Sequence, residues 1–157
     1  MFPDISSFEV ATYSIEELTA QKLIACLARS EPRDLYDLYM ISKQEISTEQ
    51  TQTFATIYLC MSANNNKPDI SRMKEFELKK IQQELQQFIR NNEKLDPKLI
   101  WKNTSIFLEK ILKFNKKQQK FIDAFFKENK ILSNLVDIDD IKLKQNPALL
   151  HKLRKEK

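Results

Sequence analysis

From Ser14 to Leu38 the chain reads SIEELTAQKLIACLARSEPRDLYDL, and this stretch decides the fold. Apolar residues return every three or four positions, the period of a helix with one buried face. Ser14 followed three residues later by Glu17 is the pattern of a capping box, in which each side chain satisfies the other residue's orphan amide. The spacing therefore predicts a helix from Ser14 to about Arg29. Pro32 breaks it and suits the first turn of a second helix, about Arg33 to Lys43.

On a helical wheel of about 100° per residue, Lys22 and Arg29 point within about 20° of each other, amid Ile15, Leu18 and Cys26. Two cations thus fall on a face expected to be otherwise buried, and a buried cation needs a carboxylate, a phosphate or a route to water. Asp34 and Asp37 stand three apart in the first turns of the next helix, share a face there, and are natural partners for them. Two readings stay open. One is a structural ion-pair cluster tying two helices together; the other is a site where Lys22 binds a phosphate and Asp34 supports a metal or acts as a base.

Working outward, Ser47 with Gln50 repeats the capping-box pattern and starts a third helix through Thr56 to about Ala63. Asn64 to Asp69 reads as a loop and the best internal boundary. It separates residues 1–66, a strand and helices, from residues 67–157, a basic helical bundle, unless the two form one continuous domain. Leu78, Ile81, Leu85, Phe88 and Ile89 mark one face of a fourth helix. Asp96-Pro97 starts a fifth carrying Ile100, Phe107, Leu108, Ile111 and Leu112; a sixth carries Phe121, Ile122, Phe125 and Phe126; a last one covers Pro147 to Lys155. Upstream, Ser7 to Tyr13 alternates like a short strand with no downstream partner. Such a strand either pairs between chains, in a homodimer, or joins a sheet lying upstream. The fold class expected is mainly α, a bundle or array of about six to seven helices, with that one N-terminal strand.

Composition narrows the function classes. With 157 residues, 41% hydrophobic and 31% charged, the chain can bury a core of its own. Cys26 and Cys60 sit in apolar helical stretches without any CxxC spacing, so they are expected as reduced core residues and not as a disulfide or zinc framework. The N-terminus lacks a signal-peptide layout and no apolar run approaches the roughly 20 residues of a membrane span, which predicts a cytoplasmic protein without a membrane partner. His151 is the single histidine, which excludes a metal cluster of several histidines, and it reads as structural. The chain contains no glycine, and phosphate cradles built from backbone amides need residues that tolerate positive φ and close approach. Trp101 and the phenylalanines read as core before they read as stacking platforms.

Charge is unevenly spread. Residues 1–70 hold 5 Lys/Arg against 10 Asp/Glu, a balance of −5, whereas residues 71–157 hold 21 against 12, a balance of +9. The basic half fits attraction to RNA or nucleotide phosphate, and equally fits lysines that solvate helix faces. A helical nucleic-acid- or protein-binding module is therefore the alternative function, with a non-functional remnant as a third reading.

The pattern Glu17-Leu18, Lys22-Leu23, Ala25, Leu27, Arg29, then Arg33-Asp34-Leu35-Tyr36-Asp37-Leu38, resembles the later motifs of the AbiEii/AbiGii nucleotidyltransferase toxin family. The far end is similar too: Leu112, Asn115, Phe121-Ile122, Ile131-Leu132 and Leu135, then Asn146-Pro147-Ala148-Leu149-Leu150-His151-Lys152, which resembles that family's closing signature, with His151 where a tryptophan is usual. The resemblance implies an enzyme that attaches nucleotides from an NTP, with Mg2+, to an RNA or protein target, with an antitoxin among its partners. By that analogy Lys22 and Asp34 would be catalytic, Arg29 and Arg33 would bind phosphate, and Asp37 would support the pocket. The family's Gly-Ser turn and metal-binding DxD precede the motifs matched here. The first cannot be made without glycine, and Asp137-Ile138-Asp139, though a DxD by letters, reads as helix N-capping. The resemblance therefore implies a C-terminal portion, truncated or separately encoded, that holds no metal by itself. It would be inactive until joined by an upstream nucleotidyltransferase lobe.

Overall fold

A computed structural model describes residues 9–62, 78–87, 96–139 and 143–154. Seven α-helices are delimited among them: α1 Ile15–Arg29, α2 Pro32–Ile41, α3 Thr48–Met61, α4 Leu78–Gln86, α5 Pro97–Ile111, α6 Lys116–Glu128 and α7 Pro147–Arg154. A single 3-10 turn, Ser133–Leu135, follows α6. The mainly α class and the helical array stand as read from the sequence.

The strand expected from Ser7 to Tyr13 is not formed over Glu9 to Tyr13, which is irregular and exposed; Ser7 and Phe8 lie outside the described residues. Alternation alone cannot hold a strand. Its amides and carbonyls need a ladder partner, and no strand lies among the described residues. The expected loop from Asn64 to Asp69, with Phe88, Ile89 and Lys155, also lies outside them.

Helix starts follow their caps, with partners the sequence did not disclose. Ser14 Oγ accepts the Glu17 amide at 3.1 Å. The capping box is nonetheless half made, because the Glu17 carboxylate turns away to accept the Tyr58 hydroxyl at 2.7 Å. At α3, Ser47 Oγ accepts the Gln50 amide at 3.3 Å, while the Ser47 amide donates to Glu16 of α1, taking the place of the reciprocal bond expected from Gln50. Asp96 caps α5 through Lys98 and Leu99, and Pro97 supplies its first turn. The complete capping box stands at α6, between Asn115 and Gln118. Helix ends feel the absence of glycine. Ser30 after α1 and Asn129 after α6 take left-handed φ of 55° and 53°, positions where glycine carries no Cβ penalty.

Two hydrophobic clusters hold the array. Ala20, Leu23, Cys26 and Leu27 of α1 meet Leu35 and Leu38 of α2, Ala55 of α3, Ile81 and Leu85 of α4, and Ile100, Leu108 and Ile111 of α5. Burying one such leucine contributes about 1.5–3 kcal/mol. The second cluster joins Ile57 and Cys60 of α3 to Phe121 and Phe125 of α6, with Val136, Leu143 and Leu149. Helix α3 therefore serves both clusters, packing on α1 on one side and on α6 and α7 on the other. Trp101 and Phe107 pack against the first cluster as core residues.

Candidate functional site

Helix α1 packs against α2 and presents its cations to the acidic first turns of that helix. The face carrying them is half open to solvent, not buried as its apolar neighbours suggested: Ile15 is 39% exposed and Leu18 37%. The reason is geometric. Ala20, Leu23, Cys26 and Leu27 take the inward stripe, which leaves the line through Ile15, Leu18, Lys22 and Arg29 at its edge.

The two cations and two carboxylates meet as complementary pairs. Lys22 Nζ donates to Asp37 Oδ2 at 2.7 Å, with both side chains partly exposed at 36% and 43%. Arg29 Nη2 donates to Asp34 Oδ1 at 2.9 Å and stands equally close to Oδ2. The second contact lacks hydrogen-bond geometry, so Asp34 Oδ2 is a buried acceptor without a hydrogen-bond partner. The asymmetry of burial is large: the Arg29 side chain is 60% exposed, that of Asp34 7%. A charge so enclosed is tolerated because the guanidinium sits against it and the N-terminal turn of α2 adds its own positive field. Four charges thus cancel in two pairs.

Lys22 is bound to Asp37 and not to Asp34, a cross-assignment that the wheel could not give. Arg33 is exposed in the first turn of α2, one residue before the enclosed Asp34. Beside the site, burial pushes the Cys26 thiol up to about 12, with a further push from the Asp34 charge against a smaller pull from Arg29. Cys26 is therefore a protonated core thiol and not a nucleophile. Burial raises Cys60 as well.

On its other flank α1 carries a network absent from the sequence reading. Gln21 Nε2 donates to the Tyr58 hydroxyl at 2.8 Å, and that hydroxyl donates to Glu17 at 2.7 Å. Burial, then the bond to Glu17, pushes Tyr58 up to about 12. Glu17 and Gln21 stand four apart on one helix face, which was legible; their partner 37 and more positions away was not.

The chemistry of the donor set decides what these residues can hold. Mg2+ asks for near-octahedral oxygen ligation. Among the described residues no group of three or more His, Cys, Asp or Glu is placed to hold a metal, and Asp34 and Asp37 are each engaged by a cation. These residues by themselves do not fit a resident magnesium. A polar hollow of about 640 Å³ lies elsewhere, where the starts of α3 and α6 face the 3-10 turn; Glu49, Lys117 and Asp137 line it, and none of the five predicted site residues does. The Asp139 carbonyl accepts the Leu143 amide at 3.1 Å. Among the described residues no helix is long and apolar enough to cross a membrane.

A family model described as "Nucleotidyl transferase AbiEii toxin, Type IV TA system" matches residues 1–126. All five predicted site residues fall inside the match, whereas the stretch from Asn146 to Lys152 that resembles the closing signature falls outside it. No curated protein and no solved structure matches the chain.

Proposed function

The chain belongs to the AbiEii family of nucleotidyl transferase toxins, and from that premise we propose that its helices supply one wall of a nucleotide-transfer site. Lys22 contacts the phosphates of an NTP, Asp34 is the carboxylate facing the reacting groups, and Arg29, Arg33 and Asp37 support them. The observation that carries this reading is the meeting of α1 and α2 through Lys22–Asp37 and Arg29–Asp34, inside the matched residues, with one buried oxygen of Asp34 left without a hydrogen-bond partner.

The chain has no glycine for a backbone phosphate turn of the usual kind, so that turn is assigned to other polypeptide. The magnesium is assigned to that other wall as well, because the donors described above do not fit it. Alone, the chain is inactive. Joined to a nucleotidyltransferase lobe it transfers nucleotides to an RNA or protein target in the cytoplasm and arrests growth, with an antitoxin as its counterpart. Labelled NTP offered to the chain, to a family nucleotidyltransferase lobe and to their mixture tests this. Transfer is expected in the mixture alone and is lost in Lys22→Ala; transfer by the chain by itself, or by a mixture indifferent to Lys22, contradicts it.

A second reading has its own support. Lys116, Lys117, Lys120, Lys127 and Lys130 are exposed along α6 and just beyond it, a charge density suited to RNA or to an acidic protein. RNA affinity that falls steeply with salt and ignores Lys22→Ala favours this module over the transferase.

A further inference from the structure

We propose that Asp37 is an internal competitor for the anion that Lys22 takes: its carboxylate holds the ammonium where a phosphate would otherwise sit, and so sets how strongly the site binds polyphosphate. The proposal rests on the reading of Lys22 as the phosphate contact and gives Asp37 the opposite of a merely supporting role.

Lys22 Nζ reaches Asp37 Oδ2 at 2.7 Å, the short distance of a charge-assisted hydrogen bond, and a carboxylate oxygen is the same kind of acceptor that a phosphate oxygen would be. An incoming phosphate must therefore displace Asp37 or approach Lys22 against its negative charge. Exposure makes the exchange feasible. Both side chains are about two-fifths open to water, so the pair can be entered from solvent and is held by the modest strength of a surface ion pair. Arg29 adds no unpaired positive charge beside the pair, because Asp34 already balances it at 2.9 Å. The charges of the two pairs sum to zero, so the pairs themselves offer a polyphosphate no net positive charge, and removal of the Asp37 charge alone changes that balance.

The alternative role for Asp37 is positioning: the carboxylate keeps Lys22 extended toward the site, and its loss lets the ammonium wander. The two roles predict opposite signs. A competitor, once neutralised, leaves tighter anion binding; a positioner leaves weaker binding.

The test titrates inorganic triphosphate into the full chain and follows the Lys22 ammonium by NMR, with Asp37→Asn, Asp37→Glu, Lys22→Ala and Lys22→Ala/Asp37→Asn alongside, each checked for a native unfolding transition. Binding by the two Lys22→Ala proteins is followed through the backbone amides. The proposal expects Asp37→Asn to tighten binding by about two- to five-fold, the range open to a half-exposed pair, and Asp37→Glu to stay near the parent. It expects the gain from Asp37→Asn to vanish in the Lys22→Ala background. Unchanged or weaker binding in Asp37→Asn, with binding still lost in Lys22→Ala, overturns the competitor and leaves the phosphate reading standing. An equal gain with and without Lys22 reduces the effect to net charge and overturns it as well. Should Asp37→Asn fail to fold, Asp37→Ser takes its place under the same expectations. Binding untouched by Lys22→Ala removes the phosphate reading itself and the competitor with it, and no binding by any of the proteins overturns the competitor.

Discussion

The two flanks of α1 carry similar polar residues and do different things with them. Toward α3, Glu17 and Gln21 close on the Tyr58 hydroxyl in a chain of short hydrogen bonds. Toward α2, Lys22 and Arg29 meet Asp37 and Asp34, and one buried oxygen of Asp34 stays without a hydrogen-bond partner. The first flank has the economy of a structural joint. The second encloses a carboxylate whose charge is balanced by one largely exposed guanidinium, so it depends on electrostatics more than on packing.

The largest effect that can sharpen this contrast comes from Arg29→Met. It leaves Asp34 enclosed without its cation and is expected to cost roughly 1–3 kcal/mol, below the full figure for a buried pair because the guanidinium is mostly solvated. Asp34→Asn added to that background should recover most of the loss in urea unfolding. No recovery would mean that the pair acts through packing and not through charge.

Tyr58→Phe on the other flank removes two hydrogen bonds and should cost about 1–2 kcal/mol. It also has a pH signature. Tyr58 is raised in the fold from 10.0 to about 12, so the hydroxyl's share of stability is intact below about pH 10 and is lost as pH rises toward 12. Parent and Tyr58→Phe stabilities should therefore converge over that window; parallel curves would count against the network.

Lys22→Ala should lower stability by less than about 1 kcal/mol, since its pair is half exposed, while abolishing transfer in the reconstituted enzyme. Smallest of all, Ser30→Gly relieves the left-handed turn between the two helices and should raise stability by about 0.5–1 kcal/mol, read as an upward shift in Tm.

Much of the second flank could be read ahead of the structure. Two cations seven apart and two carboxylates three apart, on helices broken at Pro32, are confined to a few geometries, so the meeting of Lys22 and Arg29 with Asp34 and Asp37 followed from local periodicity. Their cross-pairing did not, because it depends on how far α2 slides along α1. The exposure of Ile15 and Leu18 was missed for a related reason: a wheel gives directions around an axis but not the edge of the neighbouring helix. The half-made capping boxes failed where a partner distant in sequence competed, Tyr58 for Glu17 and Glu16 for the Ser47 amide. The box at Asn115 and Gln118 obeyed the same local rule and passed unnoticed between two helices read by their apolar faces. The stretch from Glu9 to Tyr13 shows the reverse failure, since alternation describes a residue pattern and does not supply the ladder partner.

The most direct test of the account sets the flanks against each other in one assay, with labelled nucleotide transfer by the chain plus a nucleotidyltransferase lobe corrected for the folded fraction. The account predicts that Lys22→Ala and Asp34→Asn each reduce transfer by about 100-fold or more, while Tyr58→Phe and Gln21→Ala lower Tm and leave transfer per folded molecule near that of the parent. Equal losses on both flanks, or full activity in Lys22→Ala, would contradict it.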